Sequence, residues 1–153
     1  MQRDVYWGRL KLNGEEHEIT LTAAFNYANS LARLKRNGEA RSLIRKTIPV
    51  ARRVLGESHE FTLKMRWSYA MALYKDTDTT PDDLREAVTT LEDAERIARR
   101  VMGGAHPLTS AIENELREAR AALRARETPR QTIDELKREI EKLKKENEQL
   151  RQA

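Results

Sequence analysis

At 153 residues, 39% hydrophobic and 35% charged, the chain has room for one ordinary domain and an extension, and its 6 glycines and 4 prolines leave long helices uninterrupted. Its 29 basic and 25 acidic residues are interspersed and nearly cancel to +4, which describes a solvated surface. No basic block carries interleaved aromatics, so no nucleic-acid partner is expected. Cysteine is absent, which excludes disulfides and thiolate chemistry; with no spanning apolar stretch and no secretory h-region, the expected setting is cytoplasmic, without a membrane partner.

In chain order, the first residues carry Val5, Tyr6, Trp7 and Leu10, which are expected to pack on a preceding repeat or on a neighbouring chain. An internal repeat then begins. Leu12-Asn13-Gly14-Glu15-Glu16-His17 aligns with Val54-Leu55-Gly56-Glu57-Ser58-His59 and with Val101-Met102-Gly103-Gly104-Ala105-His106, and threonines follow each histidine by three places at Thr20, Thr62 and Thr109. Between these marks the apolar periodicity predicts two helix pairs. The first helix of pair one runs from about Glu18 to Arg36 with Leu21, Phe25, Ala28, Leu31 and Ala32 on one face. Asn37-Gly38 is expected to break it. The second runs from about Glu39 to Leu55 with Ala40, Leu43, Ile44, Thr47, Val50, Ala51 and Val54 inward; Pro49 should bend it, and Gly56 should cap it.

Pair two repeats this plan, with Leu63, Trp67, Ala70 and Leu73, then Leu84, Ala87, Leu91, Ala94, Ile97 and Val101. Its extra residues fall in the turn around Lys75–Asp83, where Thr80, Pro81 and Asp83 predict a capped helix start. A third unit offers one helix, Leu108, Ile112, Leu116, Ala119 and Leu123, whose charged residues Glu113, Glu115, Arg117, Glu118, Arg120 and Arg124 are expected to face outward as a cap on the stack.

These units resemble tetratricopeptide repeats, and more narrowly the long-period type of kinesin light chains. The connection reads Leu55-Gly56-Glu57-Ser58-His59-Glu60-Phe61-Thr62-Leu63; Asn26-Tyr27-Ala28, Glu39-Ala40-Arg41-Ser42-Leu43, Glu86-Ala87 and Gly103-Gly104-Ala105-His106-Pro107-Leu108-Thr109 are further marks, over roughly residues 12 to 125. The resemblance implies a right-handed solenoid of antiparallel helix pairs, with units at about 18–56 and 60–103 and a capping helix at 107–126. In that family the glycine of the turn falls where this chain has Lys35, and Gly38 is expected to do the turning instead. The family register places Phe25, Asn26, Asn29 and Arg33, then Lys64, Trp67, Ser68, Met71 and Lys75, then Asn114 and Glu118, toward a concave peptide-binding groove. Phe25 and Trp67 share one repeat position and have two readings, groove anchors or packing between units.

The three histidines fall one repeat apart, too far for one metal ion, so each is expected to play a structural part at the start of its helix, bonding a turn carbonyl or capping an amide, and no metal or cofactor is expected. No carboxylate pair or nucleophile–base set stands out, and the chain is read as non-enzymatic.

Thr128-Pro129 is expected to end the repeat domain at residue 127, with Thr132-Ile133-Asp134-Glu135 as a capping box that starts a coiled coil over 128–153. Ile133, Ile140 and Asn147 fall at heptad a positions and Leu136, Leu143 and Leu150 at d. Glu139 and Glu146 at g stand opposite Lys144 and Arg151 at e in a parallel pair. The expected whole is an all-α adaptor or scaffold that binds a protein or peptide partner and homodimerises through its tail. The competing expectations are a purely architectural or self-assembling spacer, or a fragment of a larger multidomain protein.

Overall fold

The computed structural model describes residues 1–152, apart from the side chain of residue 130, as six helices: α1 Gln2–Asn13, α2 Glu18–Arg33, α3 Asn37–Val54, α4 Glu60–Tyr74, α5 Pro81–Met102 and α6 Pro107–Gln152. Each helix packs on the one before and the one after it. In addition α4 touches both α2 and α6, while α3 and α5 meet through the Arg41–Asp83 ion pair at 3.2 Å. The even-numbered helices therefore form a continuous layer, and the odd-numbered ones lie over its seams.

Small residues set that packing. Ala28 and Ala70 are fully buried at equivalent places in α2 and α4, as are Ala40 and Ala87 at the starts of α3 and α5, and Ala51 and Ala98 near their ends. A methyl side chain lets helix axes approach closely, and Leu21, Leu63, Leu73, Leu91 and Ile112 fill the space between them.

The repeated sequence mark is a joint. Gly14, Gly56 and Gly103 all take positive φ (78°, 100° and 86°), and each amide donates to the carbonyl four residues back, at Leu10, Arg52 and Arg99. Three residues on, the Nδ1 of His17, His59 and His106 accepts the amide of Ile19, Phe61 and Leu108, each at 3.2 Å. Histidine thus serves as the N-cap oxygen does in Ser or Asp, satisfying a donor the first turn leaves free.

The threonine of the mark is buried three times. The Thr20 hydroxyl donates to the Arg9 carbonyl of α1 at 3.3 Å, whereas the hydroxyls of Thr62 and Thr109 have no hydrogen-bond partner among the described residues. An unpaired buried hydroxyl costs its desolvation. Thr62→Val and Thr109→Val should each stabilise the fold by about 1 kcal/mol, read as a higher urea midpoint at unchanged slope; loss of stability would mean that the hydroxyls bind water.

Several expectations are corrected. Lys35, not Gly38, makes the first turn: Lys35 is the one non-glycine at positive φ among the described residues (62°), while Gly38 is the second residue of α3 with open space around it. The turn is closed by the Arg36 amide donating to the Leu31 carbonyl at 2.9 Å. That bond requires a left-handed residue at position 35, whatever its side chain. Lys35→Gly should therefore relieve strain and Gly38→Ala should add helix propensity, each by roughly 0.5–1 kcal/mol. Thermal unfolding of the double variant should be several degrees later than that of the parent; a destabilised Gly38→Ala would return the turning role to residue 38.

Val54 and Val101, expected inward, are 40% and 53% exposed, because the buried line in the last turns of α3 and α5 runs from Ala51 to Leu55 and from Ala98 to Met102 and leaves them to one side. The first residues fold as α1 against α2, where Tyr6 stacks on Tyr27 at 6.0 Å. Tyr6 thus packs within the chain, while Val5 and Trp7 stay exposed.

The largest departure is at the tail. The break expected at Thr128-Pro129 is absent, and α6 runs unbroken through Pro129. Pro129 has no amide to donate to the preceding turn. The Thr128 hydroxyl donates to the Arg124 carbonyl at 2.8 Å, and the Thr132 hydroxyl to the Thr128 carbonyl at 3.0 Å, tying the turns on either side. Thr132 is therefore a mid-helix residue and its capping box is not formed.

Candidate ligand-binding face of the even-numbered helices

The residues that the resemblance assigned to a groove fall on the layer α2–α4–α6. Asn26, Arg33, Lys75, Asn114 and Glu118 are exposed there; Asn29, Lys64, Ser68 and Met71 are half-buried. The two aromatics differ from the rest. Phe25 meets Phe61 edge-to-face at 5.4 Å, and both pack on the core, so Phe25 joins one unit to the next. Trp67 also packs on the core, and its indole Nε1 donates to Glu115 at 3.3 Å.

Glu115 is the centre of the face and was misplaced by the sequence, which put it outward. It is 8% exposed. Besides Trp67, its carboxylate accepts from the Tyr74 hydroxyl and pairs with Lys75 Nζ. Tyr74 also donates to Glu118 at 3.2 Å, and Lys75 Nζ lies 5.4 Å from the centre of the Tyr74 ring. Burial works to push the Glu115 carboxyl up, but the hydrogen bonds from Lys75, Tyr74 and Trp67 outweigh it and hold the group below its ordinary value. The same contacts, after desolvation, push the Tyr74 hydroxyl far up. The cluster is a polar seam between α4 and α6, built from groups in the middle and at the C-terminal end of α4 and in the third and fourth turns of α6.

The signal for Glu115 was present. Leu108, Ile112, Glu115 and Ala119 follow a spacing of four, three and four, which is the period of the buried face of a helix. Arg66 is another charged residue on a buried face, 9% exposed on α4, with its guanidinium 3.8 Å from Glu57 and 3.7 Å from Asp93. Burial pulls it below the usual arginine range, and the two acids work against that shift.

The openings on the surface lie mostly beside this face. A groove of about 920 Å³ between α5 and α6 is lined by Arg96, Arg99, Glu113, Leu116 and Arg120 among others. Its charges pair across it, Arg99 with Glu113 and Arg120 with Glu92. With this mostly charged lining it is not an apolar ligand pocket. On the α2 side, Asn26 borders a smaller opening of about 300 Å³ with Val5, Ile19 and Ala23, and Arg33 borders one of about 530 Å³ with Tyr27 and Leu34. Among the described residues no cluster of three or more His, Cys, Asp or Glu has metal-binding geometry, and each histidine Nδ1 is engaged by its own helix.

The tail residues Ile133, Leu136, Ile140 and Leu143 are each a little over half exposed, and Leu150 is 77% exposed, along one side of α6. No protein-family model matches the chain, and no match was found among curated proteins.

Proposed function

We propose that this chain is an interaction scaffold of the tetratricopeptide-repeat type, which takes an extended peptide on the α2–α4–α6 face and pairs with a second copy through its tail. The observation that carries this reading is the polar surface of that face. Asn26, Asn29 and Asn114 present side-chain amides, each able to donate to and accept from a peptide backbone. Beside them the Glu115 cluster holds Tyr74 and Lys75 in fixed positions, so little side-chain freedom is lost on binding. Screening the chain against a peptide array and repeating the leading hits with the Asn26→Ala/Asn29→Ala variant tests it. The expected result is a loss of binding of at least about tenfold, the equivalent of two lost hydrogen bonds. Binding unchanged in the variant sinks the assignment of this face.

A second reading, an architectural spacer that assembles end to end, is favoured by the open furrow at one end and the exposed Trp7, Val5 and Ile19 at the other. It expects species larger than a dimer that grow with concentration and no selected peptide.

A further inference from the structure

Because α6 is one helix, the direction of its tail is fixed by the body. Five turns of an α-helix take about eighteen residues, so positions eighteen apart lie on one line along it. Eighteen places beyond Glu115 is Ile133; beyond Glu118, Leu136; beyond Ala122, Ile140; beyond Ala125, Leu143. The line that meets Trp67, Tyr74 and Lys75 of α4 is therefore the line that becomes the apolar seam of the tail.

Past Glu115 this line leaves the body, with Glu118 and Ala125 exposed and Ala122 half-buried, while a neighbouring side of α6 stays attached as far as the turn after α4. Arg126 donates to the Thr79 carbonyl at 3.0 Å and Glu127 pairs with Arg85 at 3.0 Å. After these contacts the seam side is exposed. A second α6, paired in parallel, enters the lane that α4 has left. The flanking charges fix the direction. The g positions Glu139 and Glu146 are acidic and the e positions Lys137, Lys144 and Arg151 are basic, so parallel pairing sets Glu139 against Lys144 and Glu146 against Arg151, whereas an antiparallel pair sets like against like.

We propose that the second copy lies on the same side of α6 as Glu118 and the α2–α4–α6 face, so that in the dimer the two ligand-binding faces are turned toward each other across the two-fold axis. Binding then takes place in a cleft shared by both chains, and a partner carrying two copies of the recognised segment engages both walls at once. This arrangement rests on the parallel dimer proposed above and adds to it the facing of the bodies.

The chain has no cysteine, so single thiols report position cleanly. Ala125 and Arg124 are exposed neighbours on α6, one on the seam line and one on the other side of the helix. Ala125→Cys should be joined into a covalent dimer by a short bifunctional maleimide at least about tenfold faster than Arg124→Cys, with both variants sedimenting as dimers before treatment. Dimers in which the two variants crosslink equally, or Arg124→Cys faster, overturn the facing arrangement and leave the dimer standing. A chain that sediments as a monomer overturns both.

Discussion

Replacing Glu115 with alanine is expected to cost about 2–3 kcal/mol of folding stability, against less than about 0.5 kcal/mol for Glu118→Ala on the same helix. The two residues are about one turn apart, carry the same side chain and both touch Tyr74. Burial distinguishes them. Glu118 is exposed, and its loss returns Tyr74 to its stronger acceptor. Glu115 is enclosed, and its loss leaves the Trp67 indole without its acceptor, the Tyr74 hydroxyl with only the exposed Glu118, and the Lys75 ammonium unpaired. Urea unfolding of the two variants checks the difference, and equal costs would falsify the view that the cluster braces α4 on α6.

The same carboxylate gives a pH signature. Its value in the folded chain is depressed, so its contribution is fully present above the unfolded glutamate value of about 4.3 and is lost as the pH falls through the lower folded value. The parent chain should therefore lose stability in acid more steeply than Glu115→Gln, which keeps an acceptor for Trp67 and Tyr74 but has no charge to titrate. Parallel acid dependence in the two proteins would show that other carboxylates dominate.

The second large effect is on mass. The intact chain is expected to sediment at twice the monomer mass, and a chain ending at Glu127 as a monomer. Ending there retains the contacts of Arg126 and Glu127 with the body, so the fold is not itself under test. The free energy of pairing must come mainly from Ile133, Leu136, Ile140, Leu143 and Leu150, now more than half exposed, because each exposed ion pair contributes only about 0.2–1 kcal/mol. Leu143→Lys should then reduce the intact chain to monomer at concentrations where the parent is paired. Asn147, at an a position, limits the assembly to two strands, and a trimer in the parent would show that it does not. A dimer that survives removal of residues 128–153 would move the interface into the body.

The sequence by itself determined the all-α class, the three joints and most of the core. Each follows from local chemistry. A glycine is needed where φ turns positive at Gly14, Gly56 and Gly103. An acceptor is needed two residues before a free amide at His17, His59 and His106. Alanine or leucine is needed at the buried period of each helix. Only the tertiary structure decided the rest, and each case was a competition between a local preference and the packing around it. Glycine at 38 is the better turn former, yet the bond from Arg36 to Leu31 puts the left-handed residue at Lys35. Glutamate at 115 prefers water, yet three donors from α4 meet it where the helix face closes on the body. Proline at 129 disfavours a helix, yet the threonines on either side tie its turns, and the missing bond is small beside the helical bonds that continue past it. That last outcome matters most for the proposed function, because a continuous α6 ties the orientation of the α2–α4–α6 face to that of the apolar side of the tail.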